Sequence, residues 1–569
     1  MTIAACFPAR RLTTAILAGA ALLAPGAPAA AAAGADTDAV QNPVDRADPS
    51  VVERQLGAEE RGPGRPAGPA VTAAPARDNP QVPEGPPILA GAIRVDGATA
   101  LPPSAFAAAI EPYLGRPLGA EDLRALAGDV AAAARRSGFA LATAWIPGQD
   151  LVAGVLHVVI DEGRIDAIEA EGPGHEEIER RLAALATGRP VRTADLERAL
   201  LLAGDVPGAS LGRPRIVRRN GRNILVLRTD FDRVQGRAAI DNSGSATAGP
   251  IRARLAVDIN GALTGGDRLS LGAMVTPLQP REFQLVEAAY RAPVGRAGTE
   301  IGLSAYVGHS RAGGSLRDAD IGGVSGQASL SVSHPLLRSR AASLWASASI
   351  NVRDSRLDRA GERVRDERIV TTSASLYANG MLGGGRMRAR LSYVQGLDWL
   401  RATMRGDPRA SRADAGGRFS VIRAWAQYER ALGRGFSIEV AGQAQIASRP
   451  LLASEEMGLG GRQFLRAFDY WEYSGDEGAA GYAELRYDPS GRLPAPLRRL
   501  QLYLYADAGR VTNLRGGFGG GTLASAGGGA RAWFTDGFEA AVELGIPLGE
   551  GAYDPDPDPR LSFSVGKRF

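Results

Sequence analysis

Residues Arg386, Met387, Arg388, Ala389, Arg390, Leu391, Ser392 and Tyr393 alternate without a break, charged or polar at even positions and apolar or aromatic at odd ones. Period-two alternation is the mark of a β-strand, whose successive side chains point to opposite faces. Two architectures produce it. A soluble sandwich buries the apolar face against a second sheet, whereas a membrane barrel turns that face to lipid and keeps the polar one inside. An arginine facing lipid at the bilayer midplane costs about 2–4 kcal/mol, so in a barrel Arg386, Arg388 and Arg390 must line a wet interior.

The same pattern spreads outward from this segment. Ile251, Ala253, Leu255, Val257 and Ile259 share a face against Arg252, Arg254, Asp258 and Asn260. Leu344, Ala346, Ala348, Ile350 and Val352 do so against Ser343, Ser347, Ser349 and Asn351. From about residue 233 to 569 helical periodicity is absent, and short joins (264–267, 293–298, 383–385, 432–435, 535–537) take turns with long polar ones (310–321, 353–368, 396–417, 447–478). Short turns on one side and long loops on the other are the bacterial outer-membrane pattern, and the segments amount to about sixteen strands. The predicted fold is therefore a transmembrane antiparallel β-barrel over 233–569. Its last segment alternates Leu561, Phe563 and Val565 with Ser562, Ser564 and Gly566 and ends on Phe569, expected to serve as the signal read by barrel assembly machinery.

Upstream, Arg10 and Arg11 followed by the apolar run 12–23 and an Ala-rich stretch predict a signal peptide over 1–33. Pro25 and Pro28 interrupt the run well short of the roughly 20 apolar residues a spanning helix needs. Residues 34–87 are rich in Pro, Ala, Gly and charge and read mainly as an extended linker. One helical island, 48–60, is marked by Asp48-Pro49-Ser50 and would be a plug helix. Two α+β units follow, over 88–164 and 165–232. The first reads β-α-α-β-β around a helix at 120–136 whose Leu123, Leu126, Val130 and Ala133 share one side. The second repeats this order, with an Asn220-Gly221 hairpin signal.

Chemistry is sparse. The net charge is +4 over 569 residues, which gives no warrant for a nucleic-acid partner. Cys6, the only cysteine, lies within the predicted signal, so no disulfide or thiolate metal site is expected. His157, His175, His309 and His334 lack ligand spacing. No Gly-x-Ser-x-Gly elbow, His-Glu-x-x-His or phosphate-binding loop occurs. No enzyme activity, cofactor or metal is expected; Asp554, Asp556 and Asp558 read as a rigid acidic outer loop.

Several stretches together resemble the two-partner-secretion transporters, the haemolysin and filamentous-haemagglutinin secretion/activation proteins, whose barrels carry polypeptide-transport-associated (POTRA) domains. In the first α+β unit these are Gly138-Phe139, residues 146–151 (Ile-Pro-Gly-Gln-Asp-Leu), Gly154 and Glu162-Gly163; in the second, 197–202 and Asp205-Val206-Pro207-Gly208. In the barrel they are Asp241-Asn242-Ser243-Gly244, residues 334–338 (His-Pro-Leu-Leu-Arg), Gly460-Gly461, Leu465-Arg466-Ala467-Phe468, residues 475–478, residues 484–487 and Tyr505-Ala506-Asp507-Ala508-Gly509. The family's usual core in the loop is Val-Arg-Gly followed by Phe or Tyr. Leu465 stands for the Val and Ala467 for the Gly, so the backbone at Ala467 is not expected to take a glycine-only conformation. The resemblance implies two periplasmic POTRA domains before the barrel, and a loop 447–478 that folds inward with Arg466 pairing Asp507 at the wall. Parity agrees that Tyr503, Tyr505 and Asp507 face the lumen.

What the resemblance implies is export of an unfolded exoprotein, through its N-terminal transport domain, from periplasm to cell surface, with outer-membrane lipid and the barrel assembly machinery as further partners. Two rivals stand beside it. An insertase of the same superfamily usually carries three or more POTRA domains, where two are legible in this sequence. A passive porin would need no α+β pair at all.

Overall fold

The computed structural model describes residues 45–46, 48–58, 86–489, 491, 493–515 and 519–569; the predicted signal peptide, 1–33, and most of the 34–87 linker lie outside them. Sixteen antiparallel strands close into one barrel, each paired with its neighbours in chain order and the last with the first. They are β1 (Val234–Asp241), β2 (Arg252–Asn260), β3 (Arg268–Val275), β4 (Phe283–Val294), β5 (Thr299–Arg311), β6 (Ile321–Arg338), β7 (Ala342–Arg359), β8 (Glu362–Leu382), β9 (Gly385–Leu397), β10 (Ser420–Gly433), β11 (Phe436–Ala447), β12 (Glu477–Tyr487), β13 (Leu497–Thr512), β14 (Gly521–Phe534), β15 (Phe538–Pro547) and β16 (Arg560–Arg568). Phe569 completes the closure: its backbone exchanges hydrogen bonds of 3.0 and 2.7 Å with Gly236.

Exposure settles which way the alternation points. Leu255, Leu391 and Leu504 on the outer face are 48, 52 and 67% exposed, whereas Asn260, Glu484 and Ser525 inside are fully buried. A soluble sandwich would show the reverse, so the outer face is built for lipid. Among the described residues no helix is long and apolar enough to cross a membrane.

Short joins gather at the rim next to the N-terminal domains (the proximal rim) and longer ones at the distal rim. One expected loop is absent. Residues 353–368 continue β7 and β8 beyond the other strands, joined by a tight turn at Ala360 (φ 50°) and Gly361 (φ 81°). Asp354 meets Arg368 at 2.6 Å and Arg356 meets Asp366 at 3.7 Å across this hairpin, and Arg363 pairs with Asp358. Cross-strand ion pairs let a segment with the composition of a loop persist as strand.

In the first α+β unit, strands Ala92–Asp96, Val155–Asp161 and Thr143–Trp145 form a sheet with Val155–Asp161 in the centre. Leu123, Leu126, Val130 and Ala133 of the helix Ala120–Arg136 are buried against it, as their spacing predicts. In the second unit Arg222–Phe231 pairs with Ala167–Glu171, Arg215–Arg219 and Ala209–Leu211. The last strand, three residues long, is too short to show alternation and escapes sequence reading. Asn220 and Gly221 both take positive φ (50° and 77°), as a two-residue type I′ hairpin turn requires.

The second unit is fastened to the proximal rim. Arg338, at the end of β6, grips both carboxylate oxygens of Asp205 at 2.8 and 2.5 Å. Arg198 Nη2 donates to the Pro335 carbonyl, and the Arg340 N–H donates to Glu197, both at 2.8 Å.

Inside the distal half of the lumen lies a helix, α1 (Pro49–Ala58), in a stretch whose composition reads mainly as extended linker. Asp48 explains its start: the carboxylate accepts the Ser50 N–H at 2.9 Å and hydroxyl at 2.7 Å. The wall completes the site, with Ser355 Oγ at 2.9 Å and Arg365 Nη1 at 2.8 Å on Asp48. The start signal Asp48-Pro49-Ser50 marks this helix in the sequence, within the expected 48–60, whereas the Pro- and Ala-rich composition around it does not, because its stability comes from such tertiary partners.

Candidate functional site

The longest distal loop, 448–476, folds into the barrel rather than away from it. Within it Met457–Leu459 pairs with Tyr473–Gly475 as a small hairpin. Its tip buries Phe464, Leu465, Ala467 and Phe468 against Ala441, Ala480, Val511 and Leu523 of the wall. The tight turn falls at Leu465, which takes φ 62° and is fully buried; Ala467 is not among the residues with positive φ.

Sequence reasoning expects the Arg466 and Asp507 side chains to meet; the structure pairs them differently. Asp507 Oδ2 accepts backbone N–H groups of Leu465 at 2.8 Å and Arg466 at 3.1 Å, while its Oδ1 takes the Ser525 hydroxyl. The guanidinium instead reaches Glu484 Oε2 at 2.8 Å and Glu543 Oε2 at 3.0 Å. The reason is geometric. The left-handed turn at Leu465 aims two successive N–H groups at the Asp507 carboxylate, and the long arginine side chain runs along the inner wall to the neighbouring strands.

There Arg466 lies between two rings, its Cζ 4.6 Å from the Tyr482 centroid and 4.3 Å from that of Tyr505. Glu484, wholly buried, also receives Arg531 at 2.7 Å and Arg486 at 2.5 Å, and Arg486 pairs with Glu439 at 2.5 Å. Three arginines (466, 486, 531) are thus matched by three glutamates (439, 484, 543). Buried charges persist when paired and hydrogen-bonded in this way. Planar guanidinium serves both the stacking and the fork contacts, which lysine could not reproduce.

Gly509, singled out with Asp507, leaves room for the loop: a Cβ there would stand 2.9 Å from Ala480 Cβ and 3.1 Å from Leu465 Cδ1. Phe569, at the end of the chain, is 64% exposed on the outer wall and takes no part in the lumen site. Glu484 and Arg486 belong to a motif legible in the sequence, but their partnership with Arg466 does not show there. Parity places Tyr482, Glu484 and Arg486 on one face; only the closed barrel brings Glu543 from three strands away.

Asp476 holds the loop's other end. Its carboxylate accepts the N–H groups of Leu451 and Leu514, each at 2.7 Å, and Arg412 Nη1 at 2.9 Å, so three distal loops converge on one fully buried group. In the first α+β unit the Ile146–Leu151 stretch also has a structural part. Gln149 mimics a strand partner, exchanging hydrogen bonds of 2.7 and 2.8 Å with the His157 backbone. Among the described residues no cluster of three or more His, Cys, Asp or Glu could hold a metal.

Comparison with known proteins agrees in outline. The haemolysin secretion/activation protein ShlB/FhaC/HecB family pattern matches residues 221–532, and the ShlB-type POTRA domain matches 90–163. The heme/hemopexin transporter protein HuxB of Haemophilus influenzae (strain 86-028NP) is 21% identical over 386 residues, covering 66% of this chain and 67% of its own. Among solved structures, CdiB from Escherichia coli superposes with a TM-score of 0.72 at 20% identity, over 94% of this chain and all of that one. BamA from Haemophilus ducreyi lacking POTRA domains 1–3 gives 0.51 at 13% identity, over 85% of this chain and all of that one.

Proposed function

This chain belongs to the haemolysin secretion/activation protein family of two-partner secretion transporters, and from that premise we propose how its parts divide the work of exporting a secreted protein partner. The chain sits in the outer membrane of a Gram-negative bacterium with both POTRA domains in the periplasm. These capture the unfolded exoprotein by its N-terminal transport domain, presenting strand edges to which an extended chain can add. The barrel is the conduit. Substrate folding outside the cell supplies direction, since no nucleotide site is legible in the sequence. Phe569 directs assembly of the barrel into lipid.

The observation that carries this reading is the inward loop clamped by Arg466 between Tyr482 and Tyr505 and onto Glu484 and Glu543. A passive porin has no use for a buried, charge-balanced latch seated on its inner wall. An insertase reading is less favoured by the superposition on BamA, which is the weaker of the two.

The test is secretion by Arg466→Ala. Glu484 keeps Arg486 and Arg531, and the wall keeps its backbone ladder, so the barrel is expected to fold and migrate normally. Release of the partner exoprotein should fall at least about tenfold, the consequence of losing about 1.4 kcal/mol or more of latch stability. Wild-type release by a well-expressed variant overturns the role given to Arg466. Unchanged release in cells lacking this chain altogether overturns the export reading.

A further inference from the structure

Arginines facing the lumen differ in whether a carboxylate neutralises them. Arg353, Arg365, Arg466, Arg486 and Arg531 each have a carboxylate within 3.1 Å. Arg386, Arg388 and Arg390 on β9 have none within 4.0 Å among the described residues. The nearest across the ladder is Glu429, opposite Arg386 in register, and it turns to Arg486 at 4.0 Å. Same-face neighbours on a strand stand about 7 Å apart. At that spacing like charges repel by about 0.6 kcal/mol even in bulk water, and more in a confined lumen.

Serving as a wet wall does not require this cost. β7 presents Ser343, Ser347, Ser349 and Asn351 to the same space without charge. Moreover, the strip is held in place by something other than a counter-charge. Arg390 Cζ lies 5.8 Å from the Tyr377 centroid, Tyr377 packs at 5.6 Å on Trp345, and Arg338 Cζ lies 5.2 Å from Trp345. Four side chains from β6, β7, β8 and β9 form one continuous stack. It begins at the arginine that fastens the second POTRA domain through Asp205 and ends on the unneutralised strip. On the other side Arg390 lies opposite Trp425, and Arg388 is flanked in register by Asn379 and Gln427. Stacking orients a guanidinium while leaving its charge available. The strip starts at the proximal turn, Gly383–Gly384, whereas the wall contacts of α1 lie at the distal ends of β3–β8, so α1 does not cover it.

We propose that Arg386, Arg388 and Arg390 form a receiving strip for acidic stretches of an extended polypeptide, encountered as the chain leaves the second POTRA domain for the lumen. This rests on the export reading and names the substrate chemistry the barrel favours. Carboxylates spaced along an extended chain repeat every second residue at the same interval of about 7 Å, so successive acidic side chains can meet successive guanidinium groups. The flanking aromatic rings and amides accept the intervening uncharged residues.

The experiment measures equilibrium binding of fluorescent poly-L-glutamate, with poly-L-glutamine and poly-L-lysine as controls, to the detergent-solubilised full chain. Wild type should bind poly-L-glutamate alone of the three, and more weakly as salt rises. R386Q/R388Q/R390Q should bind it at least about tenfold more weakly, since three partly exposed ion pairs worth up to about 1 kcal/mol each are lost. R386K/R388K/R390K, which keeps the charge, should stay within about threefold of wild type. Heat-modifiable gel migration establishes that each variant is folded; if the glutamine variant is not, the comparison moves to the single substitution R388Q, for which a proportionate loss is expected. Absence of binding by wild type, equal binding of poly-L-lysine, or undiminished binding by a folded glutamine variant each overturns the strip. Partner secretion, measured in parallel for Arg466→Ala and for cells lacking the chain, reports on the export reading independently of all three.

Discussion

Glu162 shows how one residue of a family motif can be explained by hydrogen bonding. Its carboxylate, 2% exposed, accepts the N–H groups of Thr99, Ala100 and Leu101 at 2.7–3.0 Å and the Thr99 hydroxyl at 2.8 Å. Burial alone would raise its pKa, but the donors from Thr99 and Ala100 outweigh that and hold it below the ordinary glutamate value. A depressed carboxylate stabilises the fold fully above its unfolded pKa of about 4.3 and loses that contribution as pH falls through the folded value. The first POTRA domain should therefore loosen in acid, seen as lower protection factors, relative to the intrinsic exchange rate at each pH, over residues 98–102 of the intact protein. Glu162→Gln should already be poorly protected at neutral pH and its protection factors should change little in acid; an unaltered acid response in that variant would remove Glu162 as its cause. Gly509 acts by leaving space for the loop. A side chain there collides with Ala480 and Leu465, so Gly509→Val should loosen the loop tip, read as increased protease or labelling access at 464–468, with the barrel intact. The sequence exposes both residues as motif members. It does not expose that Leu465 takes the left-handed turn, because that conformation is imposed by what Asp507 must accept.

The Asp205–Arg338 contact unites two stretches that the family resemblance singles out separately, and it ties the helix Thr193–Gly204 to the turn after β6. Neither stretch reveals the other as partner, since 133 residues separate them. Strand alternation, by contrast, is legible almost throughout, because the lipid and lumen faces impose opposite demands at every second residue. Its failure at 353–368 is instructive: there the charged ladder of β7 and β8 has left the bilayer, and with it the apolar half of the signal. A double-mutant cycle tests the domain clamp. Asp205→Ala and Arg338→Ala should each speed exchange over 197–208, and the double variant should be little worse than either single one, giving a coupling of about 1–3 kcal/mol. Additive effects would show that the two side chains act separately. Partial recovery in the charge-swapped pair would support the clamp.

Two segments converge on the lumen: α1 from the N-terminal side and the loop 448–476 from the distal rim. A barrel of sixteen strands leaves an aqueous channel unless something occupies it, and a helix about 10–12 Å across fills much of that width. What retains α1 is concentrated in Arg365, which meets Asp48 at 2.8 Å and also pairs with Asp45, with all three groups largely removed from solvent. Ser325 at 3.0 Å on Glu53 adds a second, weaker point of attachment. Removing one member of a buried ion pair costs about 3–5 kcal/mol, because the partner charges remain without compensation. That corresponds to a shift of about 100-fold or more in helix occupancy. The wall does not depend on these side chains, since its strands are held by the backbone ladder. Arg365→Ala should accordingly leave a folded barrel whose conductance in planar bilayers rises toward that of a variant lacking residues 45–58. Conductance no different from wild type, in a variant shown to be folded, would mean that the helix is retained by its apolar contacts, Val51 and Val52 in the lumen, rather than by charge.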